Sequence, residues 1–69
     1  MYIFLTDHAK DRMRIRGYTL AHIKYVLKYP TFVHKSIDNT IIAIGTVENR
    51  KIRIVFTKID KYISVITII

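Results

Sequence analysis

Four runs of β-branched and aromatic residues fill the second half of this chain, and they constrain its fold more than any other feature. The runs cover residues 31–37, 40–47, 51–58 and 62–69. The breaks between them are short and polar: Asp38-Asn39, Glu48-Asn49-Arg50 and Asp60-Lys61. Links this short join neighbouring antiparallel strands, so the sequence predicts a four-stranded antiparallel meander.

Helical signals come before these runs. Tyr2–Leu5 has the composition of a first strand, and Thr6 follows it with a hydroxyl that can cap a helix. Gly17 ends that helix where a left-handed residue is needed. Thr19 caps a second helix over Leu20–Lys28, which the single proline of the chain ends. The predicted fold class is α+β: a strand, two helices and then the meander, with the helices packed on one sheet face.

Length and cysteine content limit the organisation of the chain. Sixty-nine residues allow one domain, residues 1–69, and no second core. Without cysteine there is no disulfide, thiolate metal ligand or cysteine nucleophile, and we expect a cytoplasmic protein. The apolar start is too short for a signal-peptide core or a membrane span, so no membrane partner is expected.

Positive charge narrows the class of partner. The chain has 12 Lys and Arg against 5 Asp and Glu, a net charge of +7 that is spread over both halves. A folded body this basic attracts polyanions, namely RNA, DNA or an acidic protein.

The last β run is apolar on both of its faces. Such a strand favours a central place in the sheet or cover from another chain, because as an exposed edge it would promote aggregation. A homodimer through the apolar strands is therefore one expectation.

Three nitrogen-bearing side chains recur at every fourth residue of the first predicted helix: His8, Arg12 and Arg16. At about 100° per residue they fall within about 80° of one another. They flank a stripe, marked by Ala9 and Met13, that must face a core. A helix kept only for packing would carry leucine or isoleucine in place of the arginines. The structural alternative stays open, since long arginine stems often cover apolar surface while their heads reach water.

A second basic group lies at the start of the third β run. Strand alternation places Lys51 and Arg53 on the more polar face, opposite isoleucine and phenylalanine side chains that are expected to pack on the helices. The polar face can present both residues to a partner. With the neighbouring Arg50, they are the predicted nucleic-acid-binding residues.

The first helix and its borders read Thr6-x-His8-Ala9-x-x-Arg12-Met13-x-x-Arg16-Gly17-Tyr18-Thr19, and Tyr29-Pro30 follows. This pattern resembles the domain-of-unknown-function family numbered 4258, over nearly the whole chain. That family is usually grouped near the RelE/ParE toxin superfamily, which implies a compact RelE-like domain of toxin–antitoxin type. The motif positions of the family fall here on His8, Arg12 and Arg16.

The resemblance also implies partners. RelE-like proteins cleave mRNA, commonly on the ribosome, whereas ParE-like proteins act on gyrase. RNA, either free or on the ribosome, is therefore the implied target, and a small acidic antitoxin is the implied protein partner. Fold alone does not determine function, so these remain expectations.

Cleavage of RNA by its own 2′-OH needs a base, cations beside the phosphorane and an acid for the leaving oxygen. His8 can serve as the base, while Arg12 and Arg16 can hold the phosphate through bidentate contacts. Amides at the helix N-terminus would add to the same anion site. The sequence identifies no second acid, and it predicts neither a metal site nor a cofactor.

Three functions stay open on the sequence. The first is a RelE-like toxin-type domain that binds RNA and acts as a metal-independent endoribonuclease. The second is a non-catalytic nucleic-acid-binding module that uses the same basic surface. The third is a protein-interaction module whose apolar strands pair with a second copy or a partner.

Overall fold

Secondary structure follows the order that the sequence predicts. The computed structural model describes residues 2–36 and 38–69. Strand β1 covers Tyr2–Leu5, and helices α1 and α2 cover Asp7–Arg16 and Leu20–Lys28. The later strands are β2 at Phe32–Lys35, β3 at Ile41–Val47, β4 at Arg50–Ile59 and β5 at Tyr62–Ile68. The molecule is α+β, as predicted; the end of the first predicted β run, residue 37, lies outside the described residues.

The strands form a sheet in the order β1-β5-β4-β3-β2. β2 to β5 pair antiparallel with their neighbours in the chain, whereas β1 pairs parallel with β5, Tyr2 lying opposite Tyr62. The predicted four-stranded antiparallel meander is thus corrected to a five-stranded mixed sheet. Short turns specify only antiparallel neighbours, so they contain no information about where β1 pairs.

β5 lies in the interior of the sheet, between β1 and β4. Ile63, Val65 and Ile68 are almost fully buried in the core. The expectation that this apolar strand takes a central place is confirmed, because both of its edges are paired.

Residues with positive φ make the tight connections between strands. Glu48 and Asn49, with φ values of 52° and 64°, form a two-residue turn, since the next residue already belongs to β4. The predicted three-residue break is therefore one residue shorter. Asn39 has a φ of 68° in the β2–β3 connection. There the Thr40 hydroxyl donates to the Asp38 carboxylate at 2.7 Å, and this hydrogen bond lowers the pKa of Asp38.

Local capping signals begin and end the helices as predicted. The Thr6 hydroxyl accepts from the Ala9 amide at 3.1 Å and begins α1, and Gly17 ends that helix with a φ of 73°. Thr19 begins α2 and forms a capping box with His22, whose Nδ1 accepts from the Thr19 amide at 3.1 Å. His22 therefore has a structural role as a capping residue at the start of α2.

Both helices pack on the same side of the sheet. α1 lies on β5 and β1, and α2 lies on β3 and β4. The core between the two layers is apolar, and its most deeply buried large side chains are Ile23, Val26, Ile52, Ile54, Val65 and Ile68. This arrangement leaves the other side of the sheet without a helical layer in the described part of the chain.

That other side is called the open face here. Alternation along the strands and the pairing between them place eight large, exposed side chains on it: Tyr2, Phe4, Phe32, His34, Lys51, Arg53, Ile59 and Tyr62. The open face therefore combines aromatic rings with basic groups.

Candidate nucleic-acid interface

Arg12 and Arg53 border the carboxyl end of β5 from two sides. Arg12 is half-buried on α1, and its Nε donates to the carbonyl oxygen of Ile68 at 3.3 Å. The amide of Ile69 donates to the carbonyl oxygen of Arg53 at 2.9 Å. Two arginines from elements far apart in sequence thus lie at the same end of the sheet.

Arg16 and Arg50 meet at the carboxyl end of α1. The Arg50 guanidinium donates to the carbonyl oxygen of Arg16, and its Cζ lies 4.4 Å from the centroid of the Tyr18 ring. A cation here satisfies a terminal helix carbonyl and opposes the negative end of the helix dipole. Arg50 therefore links the end of α1 to the start of β4, while the Arg16 side chain is exposed.

These four residues are called the arginine cluster here: Arg12, Arg16, Arg50 and Arg53. It unites two residues of the predicted catalytic set with two of the predicted nucleic-acid-binding set. The second set is divided between the two faces of β4, because Lys51 and Arg53 lie on the open face and Arg50 lies on the helical side.

No carboxylate forms an ion pair with the arginine cluster within residues 2–36 and 38–69. The ion pair found there joins Arg14 to Asp11 at 3.6 Å, and the Nε2 of His22 lies 3.6 Å from the Glu48 carboxylate. None of the described strands contains Asp or Glu. The positive charge of the cluster is therefore left to be balanced by solvent ions or by an anionic ligand.

His8 is exposed in the first turn of α1. With a rise of about 1.5 Å per residue, it lies about 6 Å from Arg12 and about 12 Å from Arg16 along the helix axis. The amides of the helix N-terminus lie at the His8 end. They therefore do not join Arg16 in one small anion site, as the sequence suggested. The three side chains start from a row along α1, which suits an extended anion.

Two surface depressions lie away from this row. One is near the ends of β2 and β4 and includes Lys35 and Lys58. The other lies between α2 and β1 and includes Ile3 and Lys24. Neither is lined by a residue of α1, so the candidate interface is an exposed surface rather than one of these depressions.

Two features of the interface are missing from the sequence interpretation. One is the buried Tyr18 ring that supports Arg50. The other is the group of aromatic side chains on the open face. Alternation within β1 predicts that Tyr2 and Phe4 share a face, but their contact with β5 requires the parallel pairing.

Comparison with known proteins identifies a family. The sequence profile of the family described as Domain of unknown function (DUF4258) matches residues 5–69. Neither a curated protein nor a solved structure gives a significant match. The profile match includes His8 and the whole arginine cluster. Both described helices are too short to cross a membrane.

Proposed function

This chain belongs to the DUF4258 family, and we propose that it is a RelE-like toxin-type domain that binds RNA and cleaves it without a metal ion. The observation that carries the proposal is the arginine cluster, in which residues from α1 and β4 border the carboxyl end of β5 and the carboxyl end of α1 without a described carboxylate partner. The net charge of +7 extends this positive field over the molecule. RNA is the polyanion that the resemblance to RelE-like proteins favours.

Binding begins with the guanidinium groups. Each presents a planar fork of N–H donors that matches two phosphate oxygens. The Ile68 carbonyl uses one N–H of Arg12, which orients the side chain and leaves other donors for a ligand. Arg16 offers a second fork about 6 Å farther along α1. This spacing supports contacts to successive phosphates of one strand.

Cleavage uses His8 at the other end of the row. Its imidazole takes the proton of a ribose 2′-OH, and the 2′ oxygen attacks the adjacent phosphorus. Arg12, one helical turn away, stabilises the charge that develops on the phosphorane oxygens. The bond from phosphorus to the 5′ oxygen breaks, and that oxygen takes a proton from water. The hydroxide that is left takes back the proton from His8, and the products are a 2′,3′-cyclic phosphate and a 5′-OH.

A non-catalytic nucleic-acid-binding module is the second candidate function. It is favoured by the contacts of Arg12 and Arg50 with backbone carbonyls, which give both residues a structural role. It shares the arginine cluster and differs in leaving RNA intact.

For both candidate functions, the positive charge of the chain would attract an acidic antitoxin segment as the protein partner. Co-purification of a small acidic protein tests that expectation.

Removing the two α1 arginines tests the RNA-binding function. The double variant Arg12→Ala, Arg16→Ala is expected to bind single-stranded RNA about tenfold to one hundredfold more weakly, because each lost charged contact costs about 1 kcal/mol or more. Fluorescence anisotropy with labelled RNA at fixed salt measures the affinity.

The matched control is the double variant Lys10→Ala, Arg14→Ala. It removes the same charge from the same helix, but from exposed positions outside the arginine cluster. We expect a small loss of affinity in this control. An equal loss in both variants would mean that net charge alone binds RNA, and wild-type affinity in the first variant would contradict the proposed site.

A further inference from the structure

We infer that the open face is a stacking platform for the bases of single-stranded RNA, an inference that rests on the proposed function and specifies the form of RNA that the domain takes. Tyr2, Phe4 and Tyr62 lie side by side on β1 and β5 and are 61–66% exposed. A contiguous group of large apolar side chains with this exposure indicates an interaction site.

The rings on β1 and β5 are held in place by strand pairing. Tyr2 lies opposite Tyr62, and Phe4 lies opposite Ser64 in the same parallel ladder. The two tyrosine rings stack with centroids 5.4 Å apart and planes 24° apart. Because each base has a flat aromatic face, fixed exposed rings of this kind accept bases with little dependence on sequence.

The charge on the open face is complementary to a nucleic acid. Lys51 and Arg53 are its charged strand residues, and none of the described strands contains Asp or Glu. Arg53 also belongs to the arginine cluster, so the phosphate-binding surface continues onto this face. Ile59, opposite Tyr62, is six positions from Arg53 along β4, a distance of about 20 Å. A short single-stranded RNA can therefore place phosphates near Arg53 and bases on the tyrosines.

A second copy of the chain fits this surface less well. In a two-fold symmetric dimer the same patch meets itself. Lys51 and Arg53 would then be covered in an interface to which the described strands contribute no carboxylate to pair with them. Covering charged groups without opposite charges opposes association. An unpaired RNA strand has the opposite charge and exposes its bases, whereas a duplex hides them.

Replacing the stacked tyrosines tests the platform. The double variant Tyr2→Leu, Tyr62→Leu keeps apolar bulk and removes both rings, and we expect it to bind a short single-stranded RNA about fivefold to one hundredfold more weakly. In the wild type, 2-aminopurine placed in that RNA is expected to lose fluorescence on binding, and the variant should lack this change. A duplex of the same sequence should bind weakly to both proteins.

The control is a second pair of tyrosines outside the open face. Tyr25 and Tyr29 on the flank of α2 have centroids 5.3 Å apart and are also exposed, so Tyr25→Leu, Tyr29→Leu should retain affinity. If circular dichroism shows that the first variant does not fold, Phe4→Leu removes a ring from the same face and should reduce both affinity and quenching.

Three results would overturn the inference. The first is a wild type that binds RNA with an affinity that none of the open-face variants alters, together with 2-aminopurine fluorescence that stays unchanged on binding. This result would exclude the platform and leave the proposed function standing. A wild-type protein that does not bind RNA would exclude both. Sedimentation of a dimer that Tyr2→Leu, Tyr62→Leu dissociates would assign the open face to a second copy.

Discussion

Replacing His8 with alanine is expected to lower the rate of RNA cleavage by about 10²–10⁴-fold, the usual contribution of a positioned general base. The side chain is exposed in the first turn of α1, so its loss leaves the buried contacts of Ala9 and Met13 intact. RNA affinity should stay close to that of the wild type, since the guanidinium groups of Arg12 and Arg16 remain. Single-turnover cleavage of a labelled RNA, with anisotropy for binding, separates the two quantities.

Lys10→Ala is the control for this result. It removes another exposed side chain from the same helix, two residues farther along, and should leave the cleavage rate nearly unchanged. Wild-type cleavage by His8→Ala would exclude the histidine as the base. A parallel loss of binding and cleavage in His8→Ala would assign His8 to RNA binding. If the wild type itself does not cleave RNA, the non-catalytic module is favoured.

Ile54→Ala is expected to have the largest effect on stability. Ile54 is fully buried in the central strand β4, where it lies beneath the helical layer. Truncating a buried isoleucine costs about 2–5 kcal/mol, because apolar contacts are lost and a cavity remains. At about 0.05–0.15 kcal/mol per residue, a chain of 69 residues has a total stability of only about 3–10 kcal/mol. Ile54→Ala is therefore expected to lose roughly half of the stability of the chain.

Ile59→Ala supplies the matched comparison on the same strand. Ile59 is 76% exposed, so the same truncation should change the free energy of unfolding by no more than about 0.5 kcal/mol. Urea unfolding followed by circular dichroism measures both variants. Similar midpoints for the two variants would contradict the placement of Ile54 in the core.

The local parts of the fold can be predicted from the sequence because their causes are local. Thr6 and Thr19 begin helices through hydrogen bonds to amides three residues later, and Gly17 ends one through its own left-handed conformation. The turn at Glu48 and Asn49 likewise depends on residues that tolerate positive φ. Such signals need no knowledge of the rest of the chain.

The pairing of β1 and the role of Arg50 depend on contacts that span most of the chain. Tyr2 pairs with Tyr62, and no local pattern specifies that partner. Arg50, in the break before the third β run, contacts the end of α1 and the ring of Tyr18, and no local pattern reveals these contacts. The candidate site was therefore predictable as a set of basic residue types, whereas its division between the two faces of β4 was not.

The salt dependence of RNA binding tests most directly whether the arginine cluster binds phosphates. For a single strand, each neutralised phosphate contributes a slope of about −0.7 to the logarithm of the binding constant against the logarithm of salt concentration. We predict a steep linear fall for the wild type, a slope smaller in magnitude by about 0.7 for Arg16→Ala, and a wild-type slope for Arg14→Ala. Binding that is absent or insensitive to salt, or a wild-type slope in Arg16→Ala, would contradict this assignment.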